Sequence, residues 1–129
     1  MKLYNNNLYK HQVKAIFDKK SHKKCLINMW CGTGKTRTFT ISIFIDNKDI
    51  NMIVFPSLGL INQYANDYIL NDNPIFSDSF SQYKCLAFCS DDESKLKVKT
   101  DKIRYTTKES ILNNFLNKKG KRIVLVTYQ

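Results

Sequence analysis

A chain of 129 residues carrying a formal net charge of +10 is long enough for one hydrophobic core and short for several. Its 43% hydrophobic and 25% charged residues, with only four Gly and two Pro, exclude a disordered, fibrous or linker-rich chain. A charge balance this basic draws polyanions and points to nucleic acid as partner, although a merely solvated basic surface carries the same total.

The cations are clustered: Lys19, Lys20, Lys23 and Lys24, then Lys95, Lys97, Lys99, Lys102 and Arg104, then Lys118, Lys119, Lys121 and Arg122. Cys25, Cys31, Cys85 and Cys89 form no C-x-x-C pair, and His11 and His22 stand far from any paired cysteine, so a thiolate zinc site is not expected. With neither a signal peptide nor an apolar run of about 18 residues, the chain reads as intracellular and soluble. Its thiols should then be reduced and act as small core residues. The Asn and Lys bias fits an AT-rich source, such as a large DNA virus or an AT-rich microbe.

In chain order, residues 8–20 read as a first helix, with Val13, Ile16 and Phe17 at helical spacing and Asn5, Asn6 and Asn7 available to cap it. Gln12 lies early on that helix. Its amide can meet both the donor and the acceptor edge of adenine, and a solvent-facing glutamine fits the position too. Residues 25–29 form a short apolar run of strand length. Residues 37–45 alternate like a strand, with Phe39, Ile41, Ile43 and Ile45 on one side, but a helix is expected there for the reason given below.

After the turn at Asp46 to Asp49, residues 51–55 read as a buried strand ended by Pro56. Ser57 then caps a helix reaching Leu70, with Leu58, Ile61, Ala65, Tyr68 and Ile69 as its apolar stripe. Residues 71–82 read as a loop and residues 85–89 as a third strand. Thr106-x-x-Glu109 matches a capping box ahead of a helix to Asn117, and residues 123–126 are a fourth strand. Strands alternating with helices predict an α/β fold: a mostly parallel sheet, helices on both faces, ligands at the carboxyl ends of the strands.

Chemistry concentrates in residues 29–36, Met-Trp-Cys-Gly-Thr-Gly-Lys-Thr. Gly32 and Gly34 can adopt positive φ, so that the amides from Cys31 through Thr33 converge on phosphate oxygens at a helix N-terminus. Lys35 supplies a point charge for the β and γ phosphates, and the Thr36 hydroxyl is placed for Mg²⁺. A helix must therefore begin at Lys35 and Thr36, which overrides the alternation that follows. Met29 stands where the G-x-x-x-x-G-K-S/T pattern has its first glycine.

These motifs resemble the first RecA-like domain of superfamily 2 DEAD/DEAH-type helicases, in the branch related to type III restriction subunits, over nearly the whole chain. Leu8-Tyr-Lys-His-Gln12 is similar to the family's L-R-x-x-Q start, which implies an adenine contact for Gln12. The 29–36 segment is similar to the family's M-A-C/T-G-T-G-K-T, in which methionine at the first position is common. Residues 54–63 resemble motif Ia, implying that Ser57 touches a nucleic-acid backbone. Residues 125–129 resemble the T-Y-Q segment that precedes the family's acidic box, implying that Thr127 faces the same strand.

The resemblance thus implies a P-loop, RecA-like domain spanning residues 1–129, truncated before the D-E-A-H box and lacking the second RecA-like domain. Asp91, Asp92 and Glu93 do not replace that box: a C-S-D strand end precedes the T-Y-Q segment in this family, which assigns them to a loop. The leading expectation is the ATP-binding part of an ATP-dependent helicase or translocase. ATP and Mg²⁺ are its expected ligands and nucleic acid, DNA before RNA, its expected partner, with a second polypeptide able to supply the missing half. Alone, the chain should bind ATP through Gln12, Cys31, Gly32, Thr33, Gly34, Lys35 and Thr36 without turning it over. The alternatives are a non-enzymatic nucleic-acid-binding remnant and a small P-loop phosphotransferase.

Overall fold

A computed structural model describes residues 7–90 and 100–128. Asn5 and Asn6, the run Asp91 to Glu93, Lys95, Lys97, Lys99 and Gln129 lie outside the described residues. The chain divides into two units, Met1–Lys48 and Asp49–Gln129.

The described residues of the first unit form two helices, α1 (Lys10–Lys20) and α2 (Lys35–Asp46). The inward face of α1 is not the apolar stripe expected. Ile16 is buried at 1% exposure, but Phe17 is 59% exposed, and the inward position four residues before Ile16 belongs to Gln12, itself 1% exposed. Lys19, three residues after Ile16, completes that face by donating to Ser42 Oγ at 2.7 Å and pairing with the Asp46 carboxylate on α2. Polar groups can line this face because each meets a partner. The expected asparagine cap is replaced by Tyr9, which precedes the first turn with extended backbone.

Helix α2 forms despite its strand-like alternation. Gly34 precedes it at φ 80°, and Asn47 closes it at φ 55°, returning its N–H to Ile43 O at 3.1 Å. Burial falls on Thr38, Ile41 and Phe44 as well as on Thr40 and Ser42, a spread round the helix that outweighs the poor helix propensity of its β-branched residues.

Residues 25–29 are not a strand, contrary to expectation. Leu26 is 94% exposed, Ile27 39%, and Cys25 and Cys31 are exposed rather than core. An apolar run signals a wish for burial, but a strand also needs a hydrogen-bonded neighbour, and the described residues of this unit contain no other strand.

The second unit is a four-stranded, wholly parallel sheet ordered β1-β4-β2-β3, from β1 (Ile50–Phe55), β2 (Lys84–Phe88), β3 (Ile103–Thr106) and β4 (Arg122–Thr127). Ile123, Val124 and Leu125 on the inner strand β4 are fully buried, the near-continuous apolar run of a parallel strand covered on both faces. On one face Leu86 and Val124 pack against Phe115 of α5 (Glu109–Leu116). On the other, Phe55 meets Tyr64 of α3 (Leu58–Tyr64) at 5.4 Å between ring centres. Each fully buried Ile or Leu here contributes about 1.5–3 kcal/mol. Beyond the cover given by α5, Ile50, Met52 and Val54 of β1 remain 48%, 60% and 52% exposed.

Three expectations need correction in this unit. The segment read as a loop at 71–82 contains α4 (Pro74–Phe80), started by Pro74 and by the Asn73 side chain accepting from Ile75 N at 3.1 Å. Phe76 and Phe80, one turn apart and 2% and 6% exposed, anchor it. The strand β3 was not foreseen, because Ile-Arg-Tyr-Thr is too short and too polar to stand out; it forms by pairing Ile103 with Cys85 through Thr106 with Phe88. That pairing also cancels the expected capping box. Thr106 is strand, 1% exposed, and its Oγ accepts at 3.1 Å from the amide of Lys108, the residue just before α5.

The α3 helix itself, started by Ser57, runs into a π-helical turn (Ala65–Ile69) that keeps Ile61, Tyr64, Ala65 and Ile69 all buried. The guanidinium of Arg122, 6% exposed, closes the other end of the layer. It donates to Leu116 O at 2.5 Å, Phe115 O at 3.4 Å and Gly120 O at 2.9 Å, holding the last carbonyls of α5.

Candidate functional site

In the first unit the residues singled out from sequence come together around residues 29–36. Gly32 has φ 76° and Gly34 φ 80°, left-handed values that favour glycine, and the chain passes from Gly34 directly into α2. Thr33, between them, closes the turn that contains Gly32, donating to Trp30 O from its hydroxyl at 2.6 Å and from its amide at 3.4 Å. Thr38 fixes the other side, donating to Gly34 O from Oγ at 2.8 Å and from N at 2.9 Å. The result is a tight backbone loop opening onto a helix N-terminus, the arrangement that accumulates partial positive charge and free amides.

Lys35 is exposed, and its ammonium group rests on Met29 O at 3.0 Å across the mouth of the loop. That bond spans the loop from its first residue to its lysine, so an incoming phosphate oxygen competes with a single carbonyl for the charge. A charge-assisted bond to an anion is stronger than one to a neutral carbonyl, so the exchange favours the phosphate. Thr36 lies in the first turn of α2, partly exposed. Among the described residues no three His, Cys, Asp or Glu side chains are grouped to hold a metal by themselves.

Gln12 is bound to the loop rather than open to solvent. Its Nε2 donates to Thr33 O at 3.2 Å and Gly34 O at 3.3 Å, while its Oε1 accepts from Tyr9 N at 2.8 Å. The fit at Gly34 is close enough that an added Cβ would lie 2.4 Å from that same Nε2, whereas one at Gly32 would meet nothing within 4 Å. Glycine is thus demanded twice at Gly34, by conformation and by space.

Two residues beside Gln12 escaped the sequence reading. The His11 ring lies with Nε2 3.0 Å from Thr33 O, and it stacks on Tyr9, centroids 5.8 Å apart and 10° from parallel. Tyr9 is 73% exposed, leaving an aromatic surface next to the phosphate-type loop. For His11 the signal was adjacency alone: a residue one position before a buried helix residue points about 100° away, to the rim of the same loop; Tyr9, just outside the helix, carried no such signal.

A profile described as "type III restriction enzyme, res subunit" matches residues 3–129. The chain belongs to that family. It is accordingly the N-terminal, RecA-like P-loop type of domain found in helicase superfamily 2, and the parallel sheet and glycine loop agree with it. Neither a curated protein nor a solved structure matches the chain significantly.

In this res-subunit-family chain, Ser57 and Thr127 belong to the second unit, and the sheet brings them to one end. Phe55 pairs with Thr127 in the β1–β4 register, and Ser57 follows Phe55 by two residues. Ser57 is exposed, and its Oγ accepts from Leu60 N at 3.4 Å as the cap of α3. Thr127 is partly exposed and Tyr128 beyond it 68% exposed, so both hydroxyl positions stand at the carboxyl ends of neighbouring parallel strands. Among the thiols of this unit, burial pushes Cys85 up to about 12, and burial with the nearby Cys89 raises the Tyr105 hydroxyl. No described helix is long and apolar enough to cross a membrane.

Proposed function

We propose that this chain binds ATP with Mg²⁺ on residues 29–36 and serves as the ATP-binding part of a DNA helicase or translocase. The observation that carries the reading is the loop itself: two glycines at positive φ delivering the chain into a helix whose first two residues are Lys35 and Thr36. Backbone amides from Cys31 to Gly34 grip phosphate oxygens, that of Thr33 exchanging its long 3.4 Å bond to Trp30 O, and Lys35 leaves the Met29 carbonyl to neutralise the β and γ phosphates. Thr36 would hold Mg²⁺ through its one hydroxyl, and the ion would supply positive charge to the phosphates.

Gln12 has two roles in this reading. It braces the loop through Thr33 and Gly34, and it meets adenine by exchanging one of those two bonds for the base. Ser57 and Thr127 donate to the backbone of a nucleic-acid strand at the end of β1 and β4. The family's tie to restriction favours DNA over RNA as the track.

The 129 residues contain no D-E-A-H sequence, so the acid that completes Mg²⁺ binding and positions water comes from outside them, in the same or another polypeptide. This chain alone binds ATP and does not turn it over.

Trp30, the only tryptophan, is 87% exposed at the loop and reports the event directly. Titration with ATP and Mg²⁺ should shift its fluorescence to saturation, and Lys35→Ala should weaken binding by about 10- to 100-fold, the worth of one charge-assisted bond. Unchanged Trp30 emission together with no retention of a labelled ATP analogue refutes the assignment. Steady ATP turnover that Lys35→Ala abolishes refutes the division of labour.

A further inference from the structure

At the amino ends of β2 and β3, opposite the end that carries Thr127, the second unit contains a cavity of about 520 Å³. Its walls include three aromatic side chains, Phe80, Tyr83 and Phe115, each less than 9% exposed and therefore held by the core rather than free to swing. Its rim carries Lys84, Lys102, Arg104 and Lys118, with Asp101 as the one carboxylate. All four cations are exposed, and none is in a salt bridge among the described residues, where the two pairs are Lys14 with Asp18 and Lys19 with Asp46.

The sheet explains why these charges converge. Leu86 pairs with Arg104, so Lys84, two residues earlier on β2, projects on the same sheet face as Arg104 on the neighbouring strand. Lys102 immediately precedes β3, and Lys118 follows the end of α5, whose Phe115 forms the wall between them. A net of three positive charges held around an apolar hollow is costly unless something anionic neutralises it, because like charges at one mouth repel and their field is focused by low-dielectric walls.

We infer that this cavity binds one nucleotide unit, its phosphate at the Lys84, Lys102, Arg104 and Lys118 rim and its ring in the aromatic hollow. The size falls within the range of small-ligand pockets, and the pairing of arginine and lysine with aromatic walls is how sequence-tolerant single-strand binding is built. The unit is part of a single strand: the same rim cations that would face one phosphate extend to its neighbours through Lys119 and Lys121, which flank the site in sequence. This inference rests on the reading of the chain as a nucleic-acid-binding protein, but it places a contact at the end of the sheet opposite Ser57 and Thr127.

The test uses the full 129-residue chain, a fluorescent single-stranded oligonucleotide and, in a second arm, AMP on the Lys35→Ala background that silences the phosphate loop. Lys102→Glu with Arg104→Glu should weaken the oligonucleotide at least about tenfold at low salt and lower the slope of log affinity against log salt by about 2. Trp30 should still report unchanged ATP binding. Lys102→Gln with Arg104→Gln, which removes charge without adding any, should give the smaller loss in the same direction and guards against a misfolded reversal variant. AMP binding lost in the Lys102 and Arg104 variants would also support the site, with free nucleotide as its occupant. If oligonucleotide and AMP binding are both insensitive to these variants while Ser57→Ala with Thr127→Ala weakens the oligonucleotide, the cavity proposal falls and the helicase reading stands. If wild-type protein retains no oligonucleotide at any salt, the helicase reading falls too.

Discussion

The side-chain amide of Gln12 lies 3.2 Å from the carbonyl oxygen of Thr33, joining the start of α1 to the glycine loop 21 residues later. With its second bond to Gly34 O and its acceptor filled by Tyr9 N, this one buried amide ties together the segments that the proposed nucleotide would touch.

Replacing Gln12 should therefore cost stability and binding together. Gln12→Ala takes one donor from each of the Thr33 and Gly34 carbonyls, which keep His11 and Thr38, and strips the Tyr9 amide of its side-chain acceptor, a loss of about 1–3 kcal/mol in urea unfolding of the chain. Gln12→Glu should be worse, since it points a carboxylate at two carbonyl oxygens. A comparison of ATP with GTP separates the two roles. If Gln12 also reads adenine, Gln12→Ala weakens ATP more than GTP; a brace alone weakens both by the same factor.

The two loop glycines should differ. Gly32→Ala meets only the left-handed backbone penalty of about 1–2 kcal/mol, because its Cβ has open space. Gly34→Ala adds a Cβ at 2.4 Å from Gln12 Nε2 and must displace the brace as well. Thermal unfolding and ATP titration of the two variants should rank Gly34→Ala as clearly the more damaging; equal effects would mean that Gln12 does not hold the loop in solution.

Thiol labelling divides the four cysteines into two pairs. Cys25 and Cys31 are exposed and should react with a maleimide or a disulfide reagent in the native protein, while Cys85 and Cys89 should react only on unfolding. ATP should slow the labelling of Cys31, inside the loop, and leave Cys25 unchanged; mass spectrometry of labelled peptides reads both.

Alkaline pH should loosen the fold through Cys85. Its thiol is held near 12 by burial against an ordinary 9.0, so between those values the unfolded chain loses the proton that the folded chain keeps. Fewer protons on the unfolded state means stability falls as pH rises through that window, and it is fully present below pH 9. Cys85→Ala should flatten this alkaline decline in urea midpoints, though it begins from a lower stability because a buried side chain has been shortened.

Arg122 offers the strongest single stability test in the second unit. Arg122→Ala takes the guanidinium donor from the Leu116 and Gly120 carbonyls and one of two donors from Phe115 O, and should cost about 3 kcal/mol. Arg122→Lys keeps the charge without the planar fork and should recover less than half of that loss.

Much of the fold was legible because its signals were local and strong. The glycine-lysine-threonine loop overrode the alternation of residues 37–45, and α2 is where that argument placed it. The apolar cores of β1, β2 and β4 and the Ser57 cap could be read the same way. What failed depended on partners. The run at 25–29 looks like a strand yet has no described neighbour in its unit, whereas Ile103–Thr106 looks like nothing in isolation and becomes strand by pairing with β2. Phe76 and Phe80 gave away α4 only in hindsight, hidden among Ser, Asp and Pro. At the loop, Gln12 was found by position, but its burial and its hold on Thr33 follow from a tertiary approach that no spacing encodes.

The half-exposed row of Ile50, Met52 and Val54 also governs how the protein behaves in a tube. An oily ribbon beside a sheet margin invites chain-to-chain sticking as material is concentrated, and scattering should climb with protein concentration well before unfolding begins. A single Met52→Glu change would wet that ribbon and extend the range over which the purified protein stays clear.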